Sequence, residues 1–194
     1  MNRRDCLDFA LRHGSLAAAA LCGLPARAQS VATPAAPGAA TELRAELGEV
    51  RLQGQGRLRF FGLHVYDIRL WAGTPVAEQN WASQALALEI EYARGLVGEQ
   101  IAERSLAEMK RQPGFDAKAA PQWLLRMKEL FPDVKAGDRI TGVQRAGEAT
   151  RFFVNGRPAG EVRDALFTRL FFGIWLAPET SEPAMRQQLF GLSR

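Results

Sequence analysis

The sequence predicts an α+β fold, an antiparallel sheet with helices packed on one face, and three observations carry that expectation. Stretches with strand character come first, two amphipathic helical stretches fill the middle, strands return, and helices close the chain. That order differs from the strand–helix alternation of a parallel sheet. Leu86, Leu88, Ile90 and Tyr92 alternate with Ala87, Glu89 and Glu91, the two-residue period of a strand. Asn155-Gly156 lies between apolar runs, where it supplies the positive φ values of a two-residue hairpin turn.

Residues 1–28 read as an export leader: a basic start, an Ala-rich run from Ser15 to Leu24, and "ARA" ending at Ala28, after which cleavage is expected. Arg3-Arg4 followed by Asp5, Cys6 and Leu7 resembles a twin-arginine signal, with a general secretory signal as the alternative; either route places the mature protein in the periplasm. The Ala-rich run is too short to span a membrane, so no transmembrane segment is expected in the mature chain. Residues 29–41 are Ala/Pro-rich with no apolar period and read as a flexible linker, leaving 42–194 as one domain.

Within the domain, Leu43, Ala45 and Leu47 alternate with Glu42, Arg44 and Glu46, and Val50 and Leu52 resume the alternation, which predicts a first strand. "QGQG", Gln53 to Gly56, reads as a turn. "RLRFFGLHVYDIRLW", Arg57 to Trp71, reads as a second strand, and residues 86–92 as a third. Gly98 to Gln112 places Ala102, Leu106 and Met109 on one helical face, and Pro113-Gly114 stops it. "PQWLLRMKELF" repeats the device with Trp123, Met127 and Leu130, and Pro121 suits its first turn. "DRITGVQ" and "RFFVNGRPAGEV" form a β-meander around Asn155-Gly156. Asp164 is placed to cap a helix, Asp164 to Leu176, whose broad apolar face carries Phe167, Leu170, Phe171 and Ile174; "SEPAMRQQLF" gives a last short helix.

Several function classes are excluded. Both cysteines, Cys6 and Cys22, and one of the two histidines, His13, lie in the leader, so the mature chain has no thiol and keeps His64 alone. Disulfide scaffolds, thiol catalysis and Cys-based metal sites are thereby excluded. Ser105 has no second histidine with which to build a Ser-His triad. The leader takes four of the 25 basic and two of the 21 acidic residues, leaving 21 against 19, or +2. With no run of five Lys or Arg, nucleic-acid binding is not expected. No phosphate-cradling glycine loop follows Gly54 and Gly56, and neither a cofactor nor a metal ion is expected.

The segment from Arg57 to Trp71 concentrates the candidate site residues. Arg57 and Arg59 read either as ligand-clamping cations or as solvent-facing arginines, and Arg69 as a surface arginine. Strict alternation puts Tyr66 and His64 on one face and Arg57 on the other, so a clamp joining Arg57 and Tyr66 needs a bulge or kink, for which Gly62 is the candidate. His64 reads as a metal or haem ligand only with partners the sequence does not supply, and otherwise as a hydrogen-bonded sheet histidine. Trp123 and Phe115 read as core aromatics or as lining of a cleft mouth.

Three stretches together resemble the bacterial exported branch of the chalcone isomerase-like family: "RLRFFGLHVYDIRLW", "LEIEYARGLVGEQIAERSLAEM" and "FFVNGRPAGEVRDALFTRLFFGIWLAPETSEPAMRQQLFG". The resemblance spans Glu42 to Gly191. It implies an open-faced β-sandwich in which an antiparallel sheet and a helix layer enclose an apolar cleft. In the family's enzymes an arginine holds an oxyanion during flavanone ring closure; in its non-catalytic relatives an arginine and a tyrosine grip a fatty-acid carboxylate. On this resemblance Arg57 matches the arginine, with Arg59 as the register alternative, and Tyr66 supplies the hydroxyl. The chain departs from the enzymes where it carries Leu170 for a threonine, Phe115 with no neighbouring asparagine, and Tyr66 or Phe61 for an early-strand threonine, which argues against chalcone cyclisation. The resemblance therefore implies a non-catalytic binder of a small amphipathic ligand such as a fatty acid. An isomerase or lyase acting on another enone or phenolic substrate, and a structural protein with a filled cleft and a protein partner, are the alternatives.

Overall fold

The computed structural model describes residues 38–192; the leader, and most of the linker, lie outside the described residues. Six strands form one antiparallel sheet in sequence order: β1 (Arg51–Phe60), β2 (Leu63–Ala72), β3 (Leu86–Tyr92), β4 (Arg139–Arg145), β5 (Ala149–Val154) and β6 (Arg157–Val162). The helices are α1 (Thr41–Leu47), α2 (Gly98–Met109), α3 (Ala120–Leu130), α4 (Ala165–Leu176) and α5 (Pro183–Leu189). The α+β expectation holds: α2 to α5 share one core with the inward side chains Ile68, Leu70, Leu86, Leu88, Ile90, Ile140 and Phe152 of the sheet.

α4 is the centre of that core. Asp164 caps it as expected, one carboxylate oxygen accepting Phe167 N–H at 2.9 Å while the other accepts the indole N–H of Trp123 on α3 at 2.9 Å. From Phe167 to Ala177 only Arg169 escapes burial, so burial extends beyond the one broad face read from the sequence to nearly the whole circumference. Phe167 stacks on Phe171 at 5.6 Å, and Phe171 meets Phe152 at 5.1 Å and Trp175 at 5.7 Å. On α2 the buried stripe is Ala102, Ser105 and Met109, with Leu106 only partly buried.

Three sequence expectations are corrected. Thr41–Leu47 is a helix, not a strand. Its alternation is also a four-residue repeat, Leu43 with Leu47 and Glu42 with Glu46, in a segment of good helix formers. Leu43 buries against Trp71, Ala87, Val143 and Phe153 on the reverse face of the sheet. Glu42 accepts from Arg139 at 2.6 Å, and Glu46 from Arg151 at 2.5 Å.

Second, Gln53 to Gly56 is strand rather than turn. Gln53 is bulged out of the β1–β2 register, and its amide bonds both the N–H and the C=O of Val76. Gly54 and Gly56 answer a packing demand: a Cβ on Gly54 would lie 2.2 Å from the backbone carbonyl oxygens of Gln188 and Leu189 on α5, and one on Gly56 would lie 2.7 Å from Met185. Third, the segment from Arg57 to Trp71 is two strands joined by a tight turn at Phe61-Gly62, both at positive φ.

Gly54→Ala forces α5 off the sheet, and overpacking of this kind costs about 1–3 kcal/mol. The expected result is a lower urea midpoint with an unchanged slope, and wild-type stability in this variant would contradict the packing described.

Candidate functional site

The β1–β2 hairpin decides which side chains turn inward. Residues opposite one another in an antiparallel pair share a face, so Leu58 and Tyr66, and Gly56 and Ile68, point to the core, whereas Arg57 and Asp67 point away. Leu58 pairs with Tyr66 and Arg59 with His64, leaving Val65 as the extra residue of a bulge. The irregularity sought at Gly62 is therefore at Val65, and it turns His64 outward rather than Arg57 inward. Val65 and Tyr66 both reach the cavity.

That cavity, of about 250 Å³, lies between the sheet and the helix layer. The sheet contributes Leu58, Tyr66, Ile90, Tyr92 and Ile140; α4 contributes Phe171, Ile174 and Trp175; α2 contributes Ile101, Arg104, Ser105 and Glu108; Ser181 and Glu182 complete it. Most of the wall is apolar, with polar groups on α2 and the 181–182 segment. Phe171 and Trp175 line the cleft without filling it, so the filled-cleft expectation gives way.

Tyr66 and Tyr92 are the polar side chains that the sheet brings to the cavity wall. The Tyr66 hydroxyl accepts the indole N–H of Trp175 at 3.0 Å, leaving its own O–H to donate. Burial pushes its phenol up to about 12, against a lowering by the Trp175 hydrogen bond, so it stays neutral at ordinary pH and keeps its proton. Tyr92, edge-on at 6.2 Å, is also pushed up by burial. Arg104 is the cation of the lining; its guanidinium lies 2.6 Å from Glu108, and Arg111 lies 3.5 Å from the other oxygen of that carboxylate.

The remaining sequence candidates lie elsewhere. Arg57 binds Asp67 at 2.7 Å on the outer face, and His64 Nε2 lies 3.2 Å from the same carboxylate. Burial raises the Asp67 carboxyl, but the Arg57 hydrogen bond and the nearby His64 and Arg57 charges outweigh it and hold the group below its usual value. Arg59 donates to the Gly62 carbonyl at 3.2 Å. Phe115 and Trp123 meet edge-to-face at 5.7 Å, Trp123 against Phe167, in the core rather than on the cavity wall. Arg69 is no free surface arginine, since it binds Glu89 at 2.8 Å and Glu91 at 3.0 Å. Of the expected residues, Tyr66 alone lines the cavity, and the cation of the lining is Arg104, whose side chain is 73% exposed and paired with Glu108. The signal for the α2 contribution was present: Ser105 and Glu108 fall in a stripe otherwise made of Ala102 and Met109.

An open antiparallel sheet backed by helices, with an apolar cleft between the layers and a neutral tyrosine donor in its wall, defines an α+β protein built around a small-molecule-sized cleft. The chain belongs to the chalcone isomerase-like family, whose model matches residues 35–191. A curated relative, an uncharacterised protein of Haemophilus influenzae, is 28% identical over 131 residues, 68% of this chain and 63% of that protein. The chain thus matches under two thirds of the relative's length. The crystal structure of a fatty-acid binding protein of Arabidopsis thaliana superposes with a TM-score of 0.57 at 14% identity, covering 73% of this chain and 86% of that one. At that identity the likeness speaks for the fold.

Tyr66 and Tyr92 are the two tyrosines of the chain, and both are raised. A free phenol ionises near pH 10, so at about pH 11 the native protein should show almost no tyrosinate absorbance while the urea-unfolded chain shows both. Because the folded values lie above the unfolded ones, this contribution to stability is complete below about pH 10 and is lost as pH rises through the folded values. One tyrosine titrating near 10 in the native state would contradict the burial.

Proposed function

We propose that the protein is a non-catalytic carrier of a slender amphipathic ligand of the fatty-acid type, held with its tail in the cleft. The observation that supports this reading best is the lining: an apolar wall with a neutral Tyr66 donor, and Arg104 and Ser105 toward the polar side. The volume, just under the roughly 300–1,000 Å³ usual for small-molecule sites, favours one acyl chain over a multi-ring substrate. The fold shared with a plant fatty-acid binding protein supports the same reading. A ligand carboxylate would share Arg104 with Glu108 and lie near Glu182, so tail burial supplies most of the affinity, at about 25 cal/mol per Å².

Native mass spectrometry with long-chain fatty acids, and with the corresponding alcohols as a neutral-headed control, tests this. One bound molecule is expected. Tyr66→Phe should weaken binding roughly three- to tenfold, the worth of one hydrogen bond. Ile174→Trp, which fills the cleft, should abolish it, while Arg57→Ala should leave it unchanged. Absence of binding to any amphiphile, or a loss on Arg57→Ala, would refute the proposal.

We further propose that the chain is of the family's bacterial exported branch, and that residues 1–28 are a twin-arginine-like leader removed on transport to the periplasm. The Arg3-Arg4 pair and the "ARA" before Gln29 support this. Among the described residues no helix is long and apolar enough to cross a membrane. The amino-terminal sequence of protein recovered from a periplasmic extract should begin at Gln29; a cytoplasmic protein beginning at Met1 would overturn the assignment.

A further inference from the structure

We propose that the tip of the β1–β2 hairpin, with the loop that follows β3, is a membrane-docking face that seats the cavity end of the molecule on an anionic lipid bilayer. The chain makes the same tight turn twice. At Asn155-Gly156 the φ values are 49° and 80°, and at Phe61-Gly62 they are 48° and 78°. Asparagine tolerates a positive φ because its short side chain bonds locally, whereas a bulky aromatic there is an outlier. Phe61 accepts that strain without burying itself: it is 89% exposed, its neighbours Phe60 and Leu63 are 65% and 56% exposed, and the two rings meet edge-on at 4.5 Å. Neither folding nor turn formation gains from a phenylalanine at this position.

The surroundings specify the partner. Tyr66 pairs with Tyr92, and Ala93 N–H bonds the Val65 carbonyl, so the loop at Arg94 to Val97 lies at the hairpin's end of the sheet. Val97 is exposed there, and four of the six exposed large hydrophobic side chains among the described residues fall at this end. Arg59 and Arg94 are exposed and make no ion pair among the described residues; of the acidic groups at this end Asp67, Glu91 and Glu108 are paired with Arg57, Arg69 and Arg104, which leaves Glu182 of the cavity lining against the two arginines. An apolar, aromatic tip beside unpaired arginines complements a bilayer interface, where rings enter the acyl boundary and guanidinium groups meet anionic head groups. The tip of a two-residue turn is too small for a stable protein interface, which buries about 800 Å² per partner. Leu58, Val65 and Tyr66 of this hairpin line the cavity, so docking would bring the cleft to a source of acyl chains. The docking does not depend on what the cleft holds.

All four tryptophans of the chain are buried, so an indole introduced by Phe61→Trp would report the tip itself. With vesicles of phosphatidylglycerol and phosphatidylcholine carrying brominated acyl chains, its fluorescence should shift to the blue and be quenched, several-fold more weakly with phosphatidylcholine alone. Phe61→Asn suits the turn and should keep the fold, yet partition onto the anionic vesicles about tenfold less in co-sedimentation, since one phenylalanine no longer leaves water. An unquenched indole, equal quenching on the two lipids, or undiminished partition of Phe61→Asn would overturn the proposal. Fatty-acid binding by Phe61→Asn should be unchanged, so failure of docking is separable from failure of the carrier reading.

Discussion

The structure depends on the seating of α4 against the sheet. A helix with almost no polar side can exist only where neighbours surround it, and here Phe152 from the sheet and Phe131 after α3 interlock with Phe167, Phe171 and Trp175. Asp164 ties the start of the helix to α3 through Trp123, and Gln112, following α2, donates to the Leu170 carbonyl at 2.6 Å. At Gly173 that amide is so close that a Cβ would lie 2.0 Å from its oxygen. With α4 fixed at these points, the cleft is the space between its Phe171–Trp175 portion, α2 and the hairpin end of the sheet.

Much of the fold was legible because local and tertiary demands agree. Asn155-Gly156 forms its positive-φ turn, Asp164 caps α4, and Leu86, Leu88, Ile90 and Tyr92 share one face of the sheet with Ala87 on the other, as read. The failures came where one pattern served two periods or where a distant element decided. Thr41–Leu47 satisfies both the two- and the four-residue repeat, and contacts with Trp71 and Arg139, remote in sequence, select the helix. Gly54 and Gly56 look like turn residues, yet they are small because α5, more than 120 positions later, lies against them.

The candidate site was less legible, and for a geometric reason. A side chain's face in a strand depends on counting residues from a fixed point, and one bulge resets the count. Reading Arg57 to Trp71 as a single strand hid the turn at Phe61-Gly62, and the bulge at Val65 then sent His64 to the outer face. Tyr66 was reached through the family resemblance, which implies a hydroxyl on this strand. Arg104 was not, since an arginine on an amphipathic helix looks like its solvated face until the neighbouring wall is known.

The sheet runs from β1 to β6 without closing, which leaves a rim strand at each side whose free backbone groups could recruit a strand from another copy. Each rim carries its own obstruction. β1 is interrupted by the bulged Gln53 and carries the exposed Arg51 and Arg59, long charged side chains that oppose a flat pairing with a copy beside them. β6 carries Pro158, which has no N–H to offer, and breaks register opposite Phe152 and Phe153. The open architecture that makes room for a cleft would otherwise favour polymerisation, and the arginine-rich strand doubles as a guard against it.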